Sequence, residues 1–189
     1  TRLNAQYEDP HKLAKLILQN IGLQSFHYQR TKFIVPFFVN MWDIWEKFLG
    51  NLFENYYDDS VTVRQKDPHS AWLIHGKRHT IEPDYVLSKN GKILTVADAK
   101  YMHEIKVGGK EMYQIAFYIS RLSISTGYAI LPYENIEDYD IQVFCQNSTI
   151  KVRHISIDEY LDILYSKKSQ NDIRKEMSVK IKELIPLNI

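Results

Sequence analysis

The chain has 189 residues, and its 44% apolar and 25% charged residues are ordinary for a globular protein. Seven Gly and six Pro are too few for a collagen-like chain, and the apolar content excludes an intrinsically disordered one. The 24 basic and 23 acidic residues nearly balance, so the net charge of +1 does not identify a class of binding partner.

The chain carries no recognisable export or membrane signal. It has no signal peptide, and no apolar run approaches the roughly 18 residues that span a bilayer, so we expect no membrane association. The single cysteine, Cys145, excludes an internal disulfide and a four-cysteine zinc site. Because the sequence begins with Thr1 rather than Met, we expect a processed product or a piece of a longer protein.

The first predicted element is a helix that begins at Asp9-Pro10, since Asp caps helix N-termini and Pro is accepted at the first helical position. Apolar residues then recur at helical spacing as far as Gly22. We therefore assign residues 1–35 to an N-terminal helical segment that leads into the core of the protein.

Residues 41–57 form the clearest predicted helix, because apolar residues recur there every three or four positions. Glu46 lies in line with Leu49 and Phe53 and interrupts the apolar stripe, whereas Glu54 lies on the polar side. A buried carboxylate needs a metal ion or a hydrogen-bond donor, which makes Glu46 a candidate site residue. The alternative is a Glu at the edge of the apolar face whose carboxylate reaches water.

The remaining chain alternates between predicted strands and helices. Strands are predicted at 61–66, 71–75, 81–87, 93–100, 128–131, 141–144 and 151–157, and helices at 110–123, 158–166 and 171–184. Lys89-Asn90-Gly91-Lys92 is a hairpin signal between two of the strands. The order indicates an α/β fold, a mixed β-sheet flanked by helices, with a core at 36–157 and C-terminal helices at 158–189 packed on it.

Two of the predicted strands carry a candidate catalytic cluster. Asp84 follows Pro83 in one strand, and Asp98 and Lys100 project from the same face of the next. The hairpin can bring Asp84 beside them, and two close carboxylates repel each other unless a cation lies between them. Mg²⁺ prefers carboxylate and carbonyl oxygens, and a nearby Lys can neutralise charge that develops on a phosphoryl oxygen. The alternative is a surface ion pair between Asp98 and Lys100, with Asp84 as a turn residue.

Four motifs in order resemble the PD-(D/E)xK nuclease superfamily, and within it the McrC-like nuclease subunit of modification-dependent (5-methylcytosine) restriction systems. The similar stretches are 40–48 in the first clear helix, 81–87 with its Pro-Asp, 96–101 with its D-A-K-Y, and 112–118 with its Y-Q helix. The resemblance covers roughly residues 1–133. Asn40 and Met102 depart from it, since the family usually has Asp at the first position and a basic residue at the second.

The resemblance implies a restriction-endonuclease-like core and a metal-dependent endonuclease that hydrolyses DNA phosphodiester bonds. It implies Mg²⁺, with Mn²⁺ as a substitute, bound by Asp84, Asp98, the Ala99 carbonyl and Glu46 directly or through water. Lys100 would position the attacking water and stabilise the transition state. Gln114, inward on its helix, would orient this arrangement; the alternative is a buried amide without a catalytic role.

The resemblance also implies partners and a setting. These are double-stranded DNA, a McrB-like GTP-hydrolysing motor that docks through a region missing from this chain, and a role in defence against foreign DNA in the prokaryotic cytoplasm. A second hypothesis is a non-catalytic DNA-binding or assembly subunit that keeps the nuclease fold. The retained acidic residues and lysine favour the enzyme.

A basic stretch at 62–110 is the candidate DNA-binding surface, since phosphate contacts require clustered Lys and Arg. The residues that we assign to DNA contact are Lys77, Arg78, Tyr101, Lys106 and Lys110. The alternative is a solvated sheet edge, which lysines commonly protect from strand pairing.

Overall fold

The computed structural model describes residues 40–106, 108–133, 136–143 and 147–187, without the side chains of residues 72–74 and 78. The predicted N-terminal segment and Cys145 lie outside the described residues, and the domain boundaries at 35 and 157 stay predictions. In the described part of the chain, no helix combines the length and apolar character needed to cross a membrane.

The described residues form four helices and eight strands. In chain order these are α1 (Met41–Tyr56), β1 (Thr62–Gln65), β2 (His69–Ile74), β3 (Lys77–Ile81), β4 (Tyr85–Lys89), β5 (Lys92–Ala99), α2 (Lys110–Leu122), β6 (Thr126–Leu131), β7 (Tyr139–Val143), β8 (Ser148–His154), α3 (Ile157–Leu164) and α4 (Gln170–Leu184).

Six strands form one mixed sheet in the order β1-β4-β5-β6-β8-β7. Strands β5, β6 and β8 run parallel to one another, while β1–β4, β4–β5 and β7–β8 pair antiparallel. Strands β2 and β3 form a separate two-stranded sheet. The predicted α/β fold with a mixed sheet flanked by helices is confirmed.

The predicted hairpin between β4 and β5 is present, and Lys89 pairs with Lys92 across it. Asn90 and Gly91 have φ values of 52° and 77°, so both turn residues adopt the left-handed conformation that a two-residue hairpin of this kind requires. Asn and Gly tolerate that conformation better than other residues. The turn therefore fixes the antiparallel register that leads from β4 into the central strand β5.

The predicted strand at 81–87 is wrong in one respect. Ile81 ends β3 in the small sheet, whereas Tyr85 begins β4 in the large sheet. Residues 82–84 connect the two sheets outside any strand, so Asp84 lies just before β4 rather than within a strand. Pro83, which has no backbone N–H to give to a strand ladder, is consistent with such a break.

Helices cover both faces of the large sheet. On one face α1, α3 and α4 share a core with β4, β5 and β6, and its fully buried members include Leu49, Tyr85 and Met177. On the other face α2 packs through Ile115 and Ile119 against β6 and β8. The sheet is therefore the middle layer, and each helical layer can deliver side chains to its edges.

Gly127 in β6 is the point where α2 approaches the sheet most closely. A Cβ at this position would lie 2.9 Å from Ile115 Cγ2 and 3.1 Å from Ile119 Cδ1. We expect Gly127→Ala to lower the free energy of unfolding by about 1–3 kcal/mol, because branched side chains in a packed core have little room to move. Urea denaturation measures the change. The exposed Ser125→Ala serves as the control, and equal stability of the two variants would contradict the packing described here.

Buried tyrosines predict the response of the fold to alkali. Burial raises the pKa of Tyr128 to about 12, and it also raises the pKa values of Tyr57 and Tyr160. Their neutral forms stabilise the fold fully below pH 10, the ordinary phenol pKa, and this contribution is lost as the pH rises through 10 towards 12. We expect the unfolding free energy to fall across that window. Phenolate absorbance that titrates at the ordinary pKa in the folded protein would contradict this.

Candidate active site

A buried ion pair lies at the carboxyl end of β5. Lys100 Nζ contacts Asp98 Oδ2, and the two side chains are only 10% and 2% exposed. The backbone N–H of Lys100 donates to the carbonyl of Ile130 in β6 at 2.9 Å, so the parallel strand pairing fixes the position of the lysine. The alternative of a strand-surface ion pair is therefore wrong, because burial removes both charges from water.

Gln114 of α2 connects this lysine to the rest of the site. Lys100 Nζ donates to Gln114 Oε1 at 3.0 Å, and Gln114 Nε2 donates to the Tyr118 hydroxyl at 2.6 Å. Tyr118 in turn donates to the carbonyl of Glu82 at 3.4 Å, in the segment that precedes Asp84. The Gln114 side chain therefore reaches the ammonium group from α2, and its orienting role in catalysis stays a prediction.

Asp84 reaches the end of β5 from the connection that precedes β4. Its Oδ2 accepts a hydrogen bond from the backbone N–H of Ala99 at 2.8 Å, so the predicted approach of Asp84 to the D-A-K tripeptide is present. Burial, together with the nearby Asp98 and Glu46 carboxylates, raises the pKa of the Asp84 carboxyl to about 7, against the lowering by the Ala99 N–H and Lys100. The partly buried Asp84 and the buried Asp98 therefore form an acidic pair.

Glu46 approaches from the opposite helical layer, on α1. Its side chain is 21% exposed, and its Oε1 lies 2.8 Å from Lys66 Nζ. The Tyr85 hydroxyl donates to the backbone carbonyl of Glu46, which ties α1 to the start of β4. Glu46 is close enough to affect Asp84 electrostatically, yet its carboxylate is paired with a lysine. Its role as a metal ligand stays a prediction.

The donor set fits a hard cation that keeps several water ligands. Asp98 Oδ2 is in ion-pair contact with Lys100, but it accepts no well-aligned hydrogen bond from the described residues. Within the same residues, no three His, Cys, Asp or Glu side chains are grouped closely enough to enclose a metal ion. Mg²⁺ commonly binds one or two carboxylates, water and substrate phosphate, so the carboxylates of Asp84 and Asp98 are chemically compatible with it. Binding of Mg²⁺ here, with the Ala99 carbonyl as a further ligand, stays a prediction.

The predicted DNA-contacting residues lie in different parts of the structure. Tyr101 directly follows Lys100 and is half-buried, while Lys106 and Lys110 are exposed on the segment that leads into α2. Lys77 is exposed and is the first residue of β3 in the small sheet. It lies about 13 Å along that strand from Ile81, the last residue of β3. The side chain of Arg78 lies outside the described residues. DNA contact by these five residues stays a prediction.

Sequence reasoning missed Lys66 as a member of this cluster and gave Tyr118 no role. Tyr118 follows Gln114 by one helical turn, so the spacing that aligns the two side chains could have identified their hydrogen bond. No sequence spacing of this kind links Lys66 to the other residues of the site. It joins the site because β1 pairs with β4 and because its own backbone turns unusually, with φ at 48°.

Comparisons with known proteins agree with the predicted resemblance. A family model described as "McrBC 5-methylcytosine restriction system component" matches residues 1–133. A solved assembly of McrB AAA+ hexamers with bound McrC from Thermococcus gammatolerans contains a chain with the same fold, at a TM-score of 0.56 and 18% identity. The match covers 98% of this chain but only 40% of that one. A search of curated proteins finds no match.

The buried ion pair predicts unequal effects of its two single substitutions. Lys100→Met leaves the Asp98 carboxylate without its cation beside Asp84, so we expect a loss of about 3–5 kcal/mol in the free energy of unfolding. Asp98→Asn should cost less, because Asp84 remains near the ammonium. The double variant should be more stable than the sum of the single effects predicts.

Chemical denaturation without divalent ions measures all three variants. Lys168→Met, which breaks the exposed ion pair with Glu176, is the control and should cost less than about 1 kcal/mol. Additive effects of the Asp98 and Lys100 substitutions would contradict the buried pairing.

Proposed function

Because the chain belongs to the McrBC 5-methylcytosine restriction system component family, we propose that it is the DNA-cleaving part of such a system. The proposed activity is Mg²⁺-dependent hydrolysis of phosphodiester bonds in double-stranded DNA. The observation that carries the proposal is the acidic pair of the partly buried Asp84 and the buried Asp98 beside Lys100 and Gln114. A buried cluster of this kind is costly to folding, which favours a catalytic over a purely structural role.

Asp84 and Asp98 would hold Mg²⁺ together with the Ala99 carbonyl, and Glu46 would contribute directly or through water. When bound, Mg²⁺ supplies Lewis-acid stabilisation of charge on the phosphoryl oxygens. Burial makes this pair of aspartates a better cation site than a solvated pair, since their mutual repulsion is relieved only by a cation or a proton.

Lys100 would act on the phosphate and on the attacking water. Its backbone is held by the Ile130 carbonyl and its ammonium by Gln114 and Asp98, so little reorganisation would be needed when substrate binds. The lysine would stabilise negative charge that develops on the phosphoryl oxygen. Gln114 would prevent the ammonium from turning fully towards Asp98, because the Gln114 amide oxygen accepts one of the three ammonium protons of Lys100.

The remaining functional assignments concern partners. Tyr101 and Lys106 lie between β5 and α2, on the segment that starts at the candidate site, and Lys110 is the first residue of α2, so these three are the best placed of the predicted DNA contacts. Lys77 would contact phosphates farther along the duplex. The matched chain belongs to an assembly of McrB AAA+ hexamers with bound McrC, and we propose a McrB-like motor as the partner of this protein.

The experiment that tests this proposal uses the full-length protein reconstituted with its motor, because the matched chain is longer than this one. We expect Asp98→Asn and Lys100→Gln to reduce cleavage of plasmid DNA by at least about 100-fold, since each removes a charge that the reaction requires. Glu54→Gln on the exposed side of α1 should leave cleavage within about twofold of wild type.

Calorimetry with Mn²⁺ gives the second readout. Asp98→Asn should lose Mn²⁺ binding, while Glu54→Gln should keep it. Cleavage that survives Asp98→Asn, or that needs no divalent ion, would exclude the proposed mechanism. A protein that binds DNA and its motor but never cuts would favour the alternative of a non-catalytic DNA-binding or assembly subunit.

A further inference from the structure

Lys66 is held beside the candidate site by its backbone as well as by its side chain. Its N–H donates to the carbonyl of Asp84 at 3.0 Å, which extends the β1–β4 ladder one residue beyond the pairing of Gln65 with Tyr85. Its Nζ lies 2.8 Å from Glu46 Oε1. One residue therefore connects the two carboxylate-bearing segments, the connection before β4 and helix α1.

The backbone conformation of Lys66 is what aims its side chain at Glu46. In a regular strand, consecutive side chains point to opposite faces of the sheet. Here Gln65 Nε2 donates to Glu54 of α1 at 2.8 Å, and yet the next side chain, that of Lys66, also reaches α1. The φ of 48° at Lys66 breaks the alternation, and this left-handed conformation is uncommon for a residue with a side chain.

The ion pair alone does not account for this arrangement. The Lys66 side chain is 61% exposed, and exposed ion pairs contribute little to stability. Unusual backbone conformations in non-glycine residues tend to persist at functional sites. The lysine is therefore better explained by the charge balance of the site than by the stability of the fold.

The charge balance favours a single divalent ion. Glu46, Asp84 and Asp98 supply three negative charges when ionised, and Lys66 and Lys100 supply two positive ones, which leaves a formal charge of −1. One divalent ion changes the formal charge to +1, which the single negative charge of one phosphodiester group would neutralise. A second divalent ion would give +3 and would lie beside the Lys66 ammonium.

We propose that the Lys66 ammonium occupies the position beside Glu46 where a second divalent ion would otherwise bind, so that the site takes one divalent ion. This inference rests on the proposed metal site. Lys66 is a positioning residue in this scheme, because it acts through Glu46 and through the charge of the site rather than on the reacting atoms.

The test is the number of Mn²⁺ ions bound by the full-length protein, measured by calorimetry and by paramagnetic resonance. Wild type should bind one ion at the site. Lys66→Met should gain a second ion, bound at least about tenfold more tightly than any second ion in wild type, because a positive charge at ion-pair distance has been removed. Lys66→Arg keeps the charge and should behave as wild type.

Further variants separate charge from backbone effects. Lys66→Gly removes the ammonium and accepts a positive φ without strain, so it should also gain the second ion. Adding Glu46→Gln to Lys66→Met should abolish the second ion and weaken binding of the first, which Asp84 and Asp98 would still hold. Lys47→Met, next to Glu46 but exposed on α1, is the matched control and should bind one ion.

The possible results separate this inference from the proposed function. One ion in both wild type and Lys66→Met would overturn the role of Lys66 and leave the nuclease proposal intact. Two ions in wild type would have the same consequence. No ion in wild type, Lys66→Met or Lys66→Gly would overturn both, because the metal site itself would be absent.

Discussion

The burial of Asp98 at the end of the central strand is the constraint on which the rest of the site depends. A carboxylate that is 2% exposed must have a cation or hydrogen-bond donors, and the nearest cation is Lys100, two residues later. The backbone N–H of Lys100 donates to the Ile130 carbonyl of β6, so strand pairing holds the main chain of the lysine at the end of β5. The second acid, Asp84, then lies beside this ion pair, because its Oδ2 accepts from the backbone N–H of Ala99, between the two paired residues.

Strand order explains how distant segments meet there. Strand β5 lies between an antiparallel and a parallel neighbour, so its carboxyl end meets the beginning of β4 and the end of β6. The connection before β4 supplies Asp84, and the crossover helix between β5 and β6 supplies Gln114. Glu46 comes from the helical layer on the other face. The site is therefore assembled at an edge that both helical layers can reach.

Local signals predicted the parts of this arrangement that depend on neighbours in sequence. The Asn90-Gly91 turn and the apolar stripe of α1 depend on backbone preference and helical period, and both are present. The connection at 82–84 was misread as strand, because the local pattern does not reveal that β3 and β4 belong to different sheets. Lys66 could not be found at all, since its position requires both the β1–β4 register and a left-handed backbone.

The end of the family match at residue 133 is not the end of the fold that supports the site. Helix α4 lies beyond it, yet Met177 and Ile181 are fully buried in the core that includes α1. The Tyr57 hydroxyl, just after α1, donates to the carbonyl of Ile185 at 2.6 Å. Glu46 is on α1, so its position depends on C-terminal residues that lie outside the family match. The proposed catalytic residues all lie between 46 and 114, but the packing that orients one of them comes from the last quarter of the chain.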